Sequence, residues 1–271
     1  VLELAVGAAR IAGGGQSVYD TWAADSGAGR PRSGGLPDLK ALGSGADFVP
    51  FQDFLGVPTL AIEFIGANGY GFGTYHTNYD SRAYVERIAD PGFRQGVTTV
   101  QTLVTLATRM AGADVLPFRF AHYATRLAAA VDDAEAALRG SPVSRPRVPA
   151  HRLREGVQRV AARADSLQRA IEVRLSRGAI PTAIATPLND VLARVEQQLT
   201  DDAGPADRAW YRHVFHGWNI YSLYDGQLFP GLHDAIRRSD LRAVESELRR
   251  VEGAFARMAT ALEAAHAMVN R

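Results

Sequence analysis

The last part of the chain carries an apolar stripe that a long helix buries on one face. From Ser239-Asp240 onward, apolar residues recur three or four positions apart. This spacing places them on one side of an α-helix that begins after Asp240, and that side needs other helices to cover it. The stripe consists of Leu241, Val244, Leu248, Val251, Phe255, Met258 and Leu262.

Three more amphipathic stretches precede this helix. They are residues 118–139, which end at Gly140, residues 150–176, which end at Arg177-Gly178, and a stretch that runs to about Leu199. Thr186-Pro187 is typical of an N-cap followed by proline at the first helical position, so we expect the third stretch to begin there. Four long helices joined by turns predict an all-α, four-helix bundle over residues 115–271.

Residues 1–114 have a different pattern. A short helix is predicted over 18–24, a second over 48–55, and a buried strand over 58–66, where a continuous apolar run ends in glycine. A helix that starts at Asp90-Pro91 and ends near Gly112 follows, with its stripe at Val97, Val100, Leu103, Val104 and Leu106. We therefore predict an α/β domain over residues 1–114, followed by the all-α domain over 115–271.

Composition excludes several classes of protein. The 271 residues have a formal net charge of +1 and no cysteine, which argues against a nucleic-acid-binding surface and against thiolate metal sites or disulfides. No apolar run reaches the roughly twenty residues that a membrane helix needs. Because the chain opens without methionine, inside an apparent structural element, we expect a fragment or a processed product.

Tyr75 and His76 are the first candidate site residues, in the segment GFGTYHTNYDSRAYVERIADPGF. A histidine there is a metal ligand, a base or a packing residue, and a lone loop histidine is most often structural. The tyrosine hydroxyl can donate a hydrogen bond to a developing oxyanion. No HExxH spacing is present, and a zinc site requires at least three converging protein ligands.

Two other features remain open on residue types alone. Gly43-Ser44-Gly45 allows a backbone to approach a ligand closely, but it also suits a tight turn before a helix. Residues 203–234 are an irregular insertion, rich in aromatics, that holds His213 and His216. Such an insertion is often functional, although Trp210, Trp218 and Phe229 would equally suit a packed loop with buried histidines.

Six sequence motifs, taken in their order along the chain, resemble those of a known family. They are SVYDTW, GLPDLKALGSGADFVPFQDFLGVPTL, YHTNYDSRAYVERIADPGF, LPFRFAHYA, GPADRAWYRHVFHG and LYDGQLFPGLHDAI. From about Gly15 to the end, the chain closely resembles the C-terminal part of the glutamate carboxypeptidase II and transferrin receptor family. These proteins are zinc peptidases together with relatives that have lost the metal.

The resemblance implies an architecture and a set of roles. Residues 1–114 would be the end of a zinc-peptidase α/β domain, and residues 115–271 a helical domain that forms homodimers. His76 matches the last ligand of a two-zinc site, and Tyr75 matches a residue that holds the tetrahedral intermediate. Ser44 and Gly45 match a loop lining the peptide-binding cleft, and Tyr224 matches a contact to the substrate carboxylate. Related proteins are often exported or membrane-anchored. The resemblance is therefore compatible with an exported or periplasmic location, but it does not determine the compartment.

Several positions depart from the glutamate-specific pattern. Leu223 replaces a lysine that pairs with the terminal carboxylate, and Ala61 and Glu63 replace two arginines that receive an acidic side chain. Ala46 replaces an asparagine of the glycine-serine loop. Without those cations an acidic peptide would be poorly neutralised, so we expect a preference for neutral or apolar peptide ends.

The remaining zinc ligands and the general base of the family lie upstream of the matched region. Since residues 1–15 hold only Glu3 as an acid and no histidine, the chain alone is expected to be inactive. The leading hypothesis is therefore part of a zinc-dependent exopeptidase of the carboxypeptidase or aminopeptidase type. The alternatives are a non-catalytic dimerisation or binding module and a free-standing helical interaction protein.

Overall fold

The structure is a computed structural model that describes residues 10, 14–24, 41–64, 73–143, 150–205, 208–222 and 224–271. These residues form two compact units. The helical unit comprises Ala41–Thr59 and Asp114–Arg271, and the smaller unit holds the described residues of Val1–Lys40 and Leu60–Ala113. The functional division at 114/115 stays a prediction, and Ala41–Thr59 packs with the helices that follow it.

Helices dominate the described residues. In the smaller unit they are α1 (Val18–Ala24), α2 (Arg82–Tyr84), which continues as a π-helical turn over Val85–Ala89, and α3 (Arg94–Ala111). In the helical unit they are α4 (Phe120–Arg139), α5 (His151–Ser176), α6 (Thr182–Leu192), α7 (Pro230–Arg237) and α8 (Leu241–Val269). A π-helical turn over Pro50–Phe54 and a 3₁₀ turn over Glu196–Leu199 complete the set.

The core of the helical unit lies around α5 and α8, which pack against each other, with α4 on α5 and with α6 and α7 on α8. Leu153 of α5 and Phe255 of α8 are fully buried. Gly156 allows the two helices to approach closely, because a Cβ atom there would lie 2.9 Å from the ring of Phe255. This arrangement confirms the all-α part of the predicted fold.

The predicted helix ends in this unit are confirmed at α8 and wrong at α6. The Asp240 side chain accepts a hydrogen bond from Ala243 N at 3.0 Å, which caps α8 as expected. Helix α6 begins at Thr182, so Pro187 lies inside it. Pro181 already provides the extended residue before the first turn, and Pro187 removes one backbone donor and crowds the carbonyl of Ala183. The predicted run to Leu199 is also interrupted after Leu192.

In the smaller unit, α1 has its predicted bounds, and α3 ends at Gly112 as predicted. The predicted start of α3 at Asp90-Pro91 is wrong by a few residues, because Gly92 and Phe93 both have positive φ and separate Pro91 from the helix. The Asp90 carboxylate still caps α3, since its two oxygens accept from Gln95 N at 3.0 Å and Gly96 N at 2.9 Å.

The α/β character of residues 1–114 is not confirmed. Residues 58–64 of the predicted strand pair with no described residue, and a strand exists only where a neighbour completes its hydrogen-bond ladder. Residues 65 and 66 of that prediction lie outside the described part. The predicted helix over 48–55 is only the π-helical turn Pro50–Phe54. No helix in the described ranges has the length and apolar content to span a membrane.

Candidate functional site

Tyr75 and His76 lie in an exposed turn of the smaller unit. Thr77 N bonds to Thr74 O at 3.0 Å, which closes the turn. The Tyr75 ring is 53% exposed and stacks on the imidazole of His76, with ring centroids 3.8 Å apart. His76 has a left-handed backbone with φ of 62°, which is uncommon for a residue other than glycine. Strained residues of this kind cluster at functional sites, so the turn is a candidate.

The His76 imidazole is directed to solvent rather than into a core. It is exposed, and it has no hydrogen-bond or ion-pair partner among the described residues. Its ring nitrogens therefore remain available to a ligand. The described residues hold no group of three or more His, Cys, Asp or Glu side chains placed to bind a metal ion. His76 thus supplies one ligand at most within the described part of the chain.

A second set of predicted residues meets in the helical unit. The backbone of Gly43 touches Tyr224 so closely that a Cβ atom on Gly43 would overlap the Tyr224 carbonyl. Gly45 has φ of 82°, and a Cβ atom there would lie 3.1 Å from the Tyr224 ring. Ser44 lies between them, half-buried. The structure therefore brings Ser44, Gly45 and Tyr224 together, and Tyr224 remains 57% exposed.

The irregular insertion is held by backbone pairing and buried rings rather than by helix. His213 forms an isolated antiparallel bridge with Thr200, and Trp218 forms one with Gly226. Phe215 and Phe229 are buried with their centroids 5.1 Å apart. Of the aromatic anchors that sequence suggested, Phe229 is buried, whereas Trp210 is 46% exposed and stacks on Phe54. The second bridge places Tyr224 in a turn against the glycine-serine loop.

His213 and His216 belong to a buried network around Glu196. The Glu196 Oε1 atom accepts from the Tyr123 hydroxyl at 2.7 Å and lies 3.0 Å from His213 Nε2. His213 Nδ1 accepts from the backbone N–H groups of Phe215 and His216, so Nε2 carries the proton and donates to the carboxylate. Both ring nitrogens of His213 are thus committed to hydrogen bonds, and His216 Nε2 lies 3.2 Å from the Tyr123 hydroxyl, which supports a structural role for the two histidines. Sequence reasoning missed Tyr123 and Glu196, which lie far apart along the chain.

The electrostatics of this network keep Glu196 charged and His216 neutral. Burial alone would raise the pKa of Glu196, but the hydrogen bonds from His213 and Tyr123, together with the electrostatic attraction of the His213 ring, lower it below its usual value. Burial, with the neighbouring His213, lowers the pKa of His216 to about 3. Burial raises the pKa of the Tyr123 phenol well above its ordinary value.

Asp53 fixes the loop segment to the insertion. Its backbone carbonyl accepts from Arg212 N at 2.8 Å and from His213 N at 2.9 Å. Its carboxyl group is buried, and neither oxygen has a hydrogen-bond partner in the structure. Burial therefore raises its pKa to about 6, against the opposing charges of His213 and Arg208. No sequence pattern marked Asp53, because a single aspartate in a polar turn is ordinarily exposed.

Comparison with known proteins finds a family model that matches the helical region. Residues 148–263 match the model of the transferrin receptor-like dimerisation domain. The chain is 29% identical over 221 residues to a probable glutamate carboxypeptidase of Arabidopsis thaliana named LAMP1, an alignment that covers 82% of this chain and 29% of that protein. It is 26% identical over 258 residues to the mouse aminopeptidase NAALADL1, covering 93% of this chain and 34% of the relative. This chain is therefore similar to the C-terminal region of the transferrin receptor-like peptidases.

The relatives include proteins named as peptidases and a protein named as inactive. A protein of Schizosaccharomyces pombe named an inactive zinc metalloprotease is 36% identical over 78 residues, covering 29% of this chain and 9% of that protein. The chain spans about a third of the length of the first two relatives, 29% and 34% respectively. The resemblance seen in the motifs is confirmed at the level of the family, while the roles of Tyr75, His76, Ser44, Gly45 and Tyr224 stay predictions.

Proposed function

We propose that this chain is part of a zinc-dependent exopeptidase, with residues 1–114 ending the peptidase domain and residues 115–271 forming the dimerisation domain. The observation that carries the proposal is the exposed Tyr75–His76 turn, where a left-handed histidine presents unpartnered ring nitrogens. Carboxypeptidase and aminopeptidase names among the relatives support the same class of reaction.

The described residues do not by themselves fit a complete zinc site. A catalytic zinc takes at least three protein ligands, and the described part of the chain brings no three His, Cys, Asp or Glu side chains together for one. When bound by a full ligand set, zinc polarises a peptide carbonyl and activates water. In the complete protein His76 would be one ligand of a two-zinc centre, and the isolated chain is expected to be inactive.

The other predicted residues would act on the substrate. Tyr75, beside the proposed ligand, would donate its phenolic proton to the oxygen that gains charge when the carbonyl is attacked. Ser44 and Gly45 would line the cleft, and their close packing on Tyr224 supports a shared role in holding one end of a peptide. These assignments rest on the family resemblance together with that contact.

Specificity is proposed to favour neutral peptide ends. Ala61 and Glu63 lie where glutamate-specific members carry arginines, and both are exposed in this structure. Ala46 offers no side-chain donor next to Ser44, and Leu223 lies outside the described residues. An acidic substrate would therefore lose charge-assisted hydrogen bonds, each worth about 1.5 to 3 kcal/mol.

Homodimerisation through the helical domain is the second part of the proposal. The match of residues 148–263 to a dimerisation domain supports it. Sedimentation of the purified chain is the direct measurement. A dimer at tens of micromolar protein is expected, and a monomer there would contradict this part alone.

A non-catalytic dimerisation or binding module is the alternative function. The inactive zinc metalloprotease among the relatives favours it, because loss of catalysis has occurred within this group by that protein's name. The well-packed helical unit is compatible with either function, since its core does not involve His76.

Metal analysis separates the two functions. The longest gene product that contains this sequence is purified with and without His76→Ala, and bound zinc is measured by mass spectrometry. The exopeptidase proposal expects two zinc ions per chain, with at least one lost in the variant. His151→Ala, an exposed histidine of α5, is the matched control and should keep both. Zinc content unchanged by His76→Ala would reject the ligand assignment and favour the module.

Substrate preference is tested on the same preparation. Peptides that differ only in a terminal glutamate or leucine are compared by kcat/KM, and the leucine peptide is expected to be cleaved faster. A preference for glutamate would show that other cations replace the missing ones. Tyr75→Phe should lower kcat by about a hundredfold or more if the hydroxyl serves the oxyanion, while zinc content stays unchanged.

A further inference from the structure

A groove lies between the C-terminal parts of α5 and α8 in the helical unit. It encloses about 400 Å³. Val173 of α5 and Val269 of α8 contribute apolar wall, and Val173 is exposed despite lying on a core helix. A space of this size accommodates a small organic molecule rather than a lone ion.

The same groove is lined by several cationic side chains. Arg169, Arg174 and Arg177 project into it from one face of α5 and the turn that follows. Arg174 and Arg177 are three residues apart and are neighbours on the last turn, and all three arginines line the groove. His266 and Asn270 line the opposite side from the last turns of α8 and add polar groups.

No carboxylate neutralises these arginines within the described residues. Glu172 accepts instead from Gln168 at 2.8 Å, and Glu263 pairs with Arg163 at 3.2 Å. Elsewhere on α5 the arginines do find acidic partners, as Arg154 does with Asp132 and Glu135. The groove therefore concentrates unpaired positive charge around an apolar wall.

Helix ends explain only part of this charge. Cations near a helix C-terminus are favoured by the helix dipole, which accounts for Arg174 and Arg177. The effect fades within the last turn, and Arg169 lies seven residues before Ser176, the last residue of α5. Three guanidinium groups on one groove are better matched to an anion with two negative charges, which they can engage by paired N–H donors.

We propose that this groove binds a small organic dianion of the phosphate monoester class. The apolar part of the ligand would lie on Val173 and Val269, and the phosphate would be held by Arg169, Arg174 and Arg177. The groove belongs to the helical unit and uses none of Ser44, Gly45, Tyr75, His76 and Tyr224. The proposal is accordingly independent of the peptidase hypothesis and survives its failure.

Calorimetric titration of the full chain with phenyl phosphate tests the proposal. Binding is expected at millimolar ligand or below, tighter than that of inorganic phosphate, which lacks the apolar ring, and tighter than that of benzoate, which carries one charge. The R169Q/R177Q double variant should weaken phenyl phosphate binding by about tenfold or more, since two charge-assisted contacts are lost. Val173→Asp should weaken it as well.

Arg159→Gln is the matched control, because Arg159 is an exposed arginine on the same helix outside the groove. It should leave affinity within about twofold of the parent chain. If Arg159→Gln weakened phenyl phosphate binding as much as the double variant does, the binding would come from general charge attraction, and the proposal would be overturned. A double variant that melts at a lower temperature but binds phenyl phosphate with unchanged affinity would also overturn the proposal. The arginines would then stabilise the C-terminal end of the helix rather than bind the ligand. Circular dichroism confirms that each variant is folded before titration.

Discussion

The two units of the molecule differ in how far the apolar faces of their helices are exposed to solvent. In the helical unit the stripe of α8 is buried from Val244 onward, with Val244, Phe255 and Leu262 at 0% exposure, while Leu241 at the helix start is exposed. In the smaller unit, Val100 and Val104 of α3 are 59% and 58% exposed, although their spacing is just as regular. No described residue covers them. Apolar periodicity therefore predicts a helix in both units, but within the described ranges only the helical unit supplies residues that cover the stripe.

The opposite face of α3 shows how a helix behaves without that partner. Thr98 and Thr102 are its buried residues, and their hydroxyls bond to the carbonyls of Arg94 and Thr98 at 2.7 and 2.9 Å. These intrahelical bonds satisfy buried polar groups. The described residues thus bury the small polar side of α3 and leave its apolar side open.

The largest test of this contrast is truncation of one apolar side chain in each unit. Phe255→Ala should lower the free energy of unfolding by about 3 to 5 kcal/mol, because it removes a buried ring that contacts Gly156 and Phe229. Val100→Ala should change it by at most about 0.5 kcal/mol, since an exposed side chain leaves no cavity. Urea denaturation followed by circular dichroism measures both.

A loss in Val100→Ala similar to that in Phe255→Ala would mean that the α3 stripe is covered in solution. The contrast between the units would then be wrong. Val100→Leu distinguishes the cases further, because added bulk is neutral on an exposed face and costly in a packed one.

A second test compares one ion pair from each unit. Arg208 pairs with Asp234 in the helical unit, where the side chains are 9% and 1% exposed, whereas Arg82 and Glu86 of the smaller unit are 86% and 37% exposed. Asp234→Ala should destabilise by about 3 kcal/mol or more, because it leaves a buried guanidinium without its carboxylate. Glu86→Ala should cost at most about 0.5 kcal/mol, as exposed pairs do.

The Arg208→Met and Asp234→Leu double variant separates pairing from packing. Replacing both charges by apolar groups should recover much of the stability lost in Asp234→Ala. If the double variant is as unstable as the single one, the loss comes from packing rather than from an uncompensated charge, and the comparison of ion pairs loses its basis.

Sequence reasoning succeeded where local chemistry decides the structure. The bounds of α1 and α5 and the cap at Asp240 follow from apolar spacing and capping residues, and they were predicted within one residue. The start of α6 was missed because no capping side chain marks it: Pro181 precedes the helix without a side-chain hydrogen bond, whereas Thr186-Pro187 carries the usual pattern of a helix start. The strand over 58–66 required a partner that no local pattern can provide.

The candidate site was predictable to the same degree. The glycines around Ser44 permit a close approach, and the structure places Tyr224 there, while the predicted approach to a ligand stays a prediction. The buried Asp53 and the Glu196 network were not predictable, because they depend on contacts between residues tens to more than a hundred positions apart. Long-range packing decides which polar residue becomes buried, and periodicity does not record it.

The buried groups of the helical unit predict a pH dependence with two opposing parts. The pKa of Asp53 is raised to about 6, so its contribution to stability is full below about pH 4 and is lost as the pH rises through 6. The pKa of His216 is lowered to about 3, so its neutral form favours folding above about pH 6.5, and that contribution is lost as the pH falls toward 3. Between about pH 4 and 6 the two slopes oppose each other.

Single variants separate the two slopes. Asp53→Asn should be more stable than the parent chain at pH 7 by about 1 to 3 kcal/mol, and its stability should rise more steeply between pH 4 and 6. His216→Gln should lose the acid-side decline. Urea denaturation at a series of pH values measures both. Equal stability of Asp53→Asn and the parent chain at pH 7 would show that the carboxyl group is hydrated rather than buried without a partner.

The smallest expected difference concerns two glycines with positive φ, one in each unit. Gly45 has φ of 82°, and a Cβ atom there would lie 3.1 Å from the Tyr224 ring, whereas Gly92 has φ of 76° and a Cβ atom there would meet open space. Both alanine variants should lose about 1 kcal/mol from backbone strain. Only Gly45→Ala should also displace Tyr224, which a shift of the Tyr224 ring resonances in the NMR spectrum can report. Tyr224→Phe serves as the control, because it identifies those resonances by their disappearance. Unchanged Tyr224 resonances in Gly45→Ala would show that the loop and Tyr224 move independently, which would remove the contact that joins them into one site.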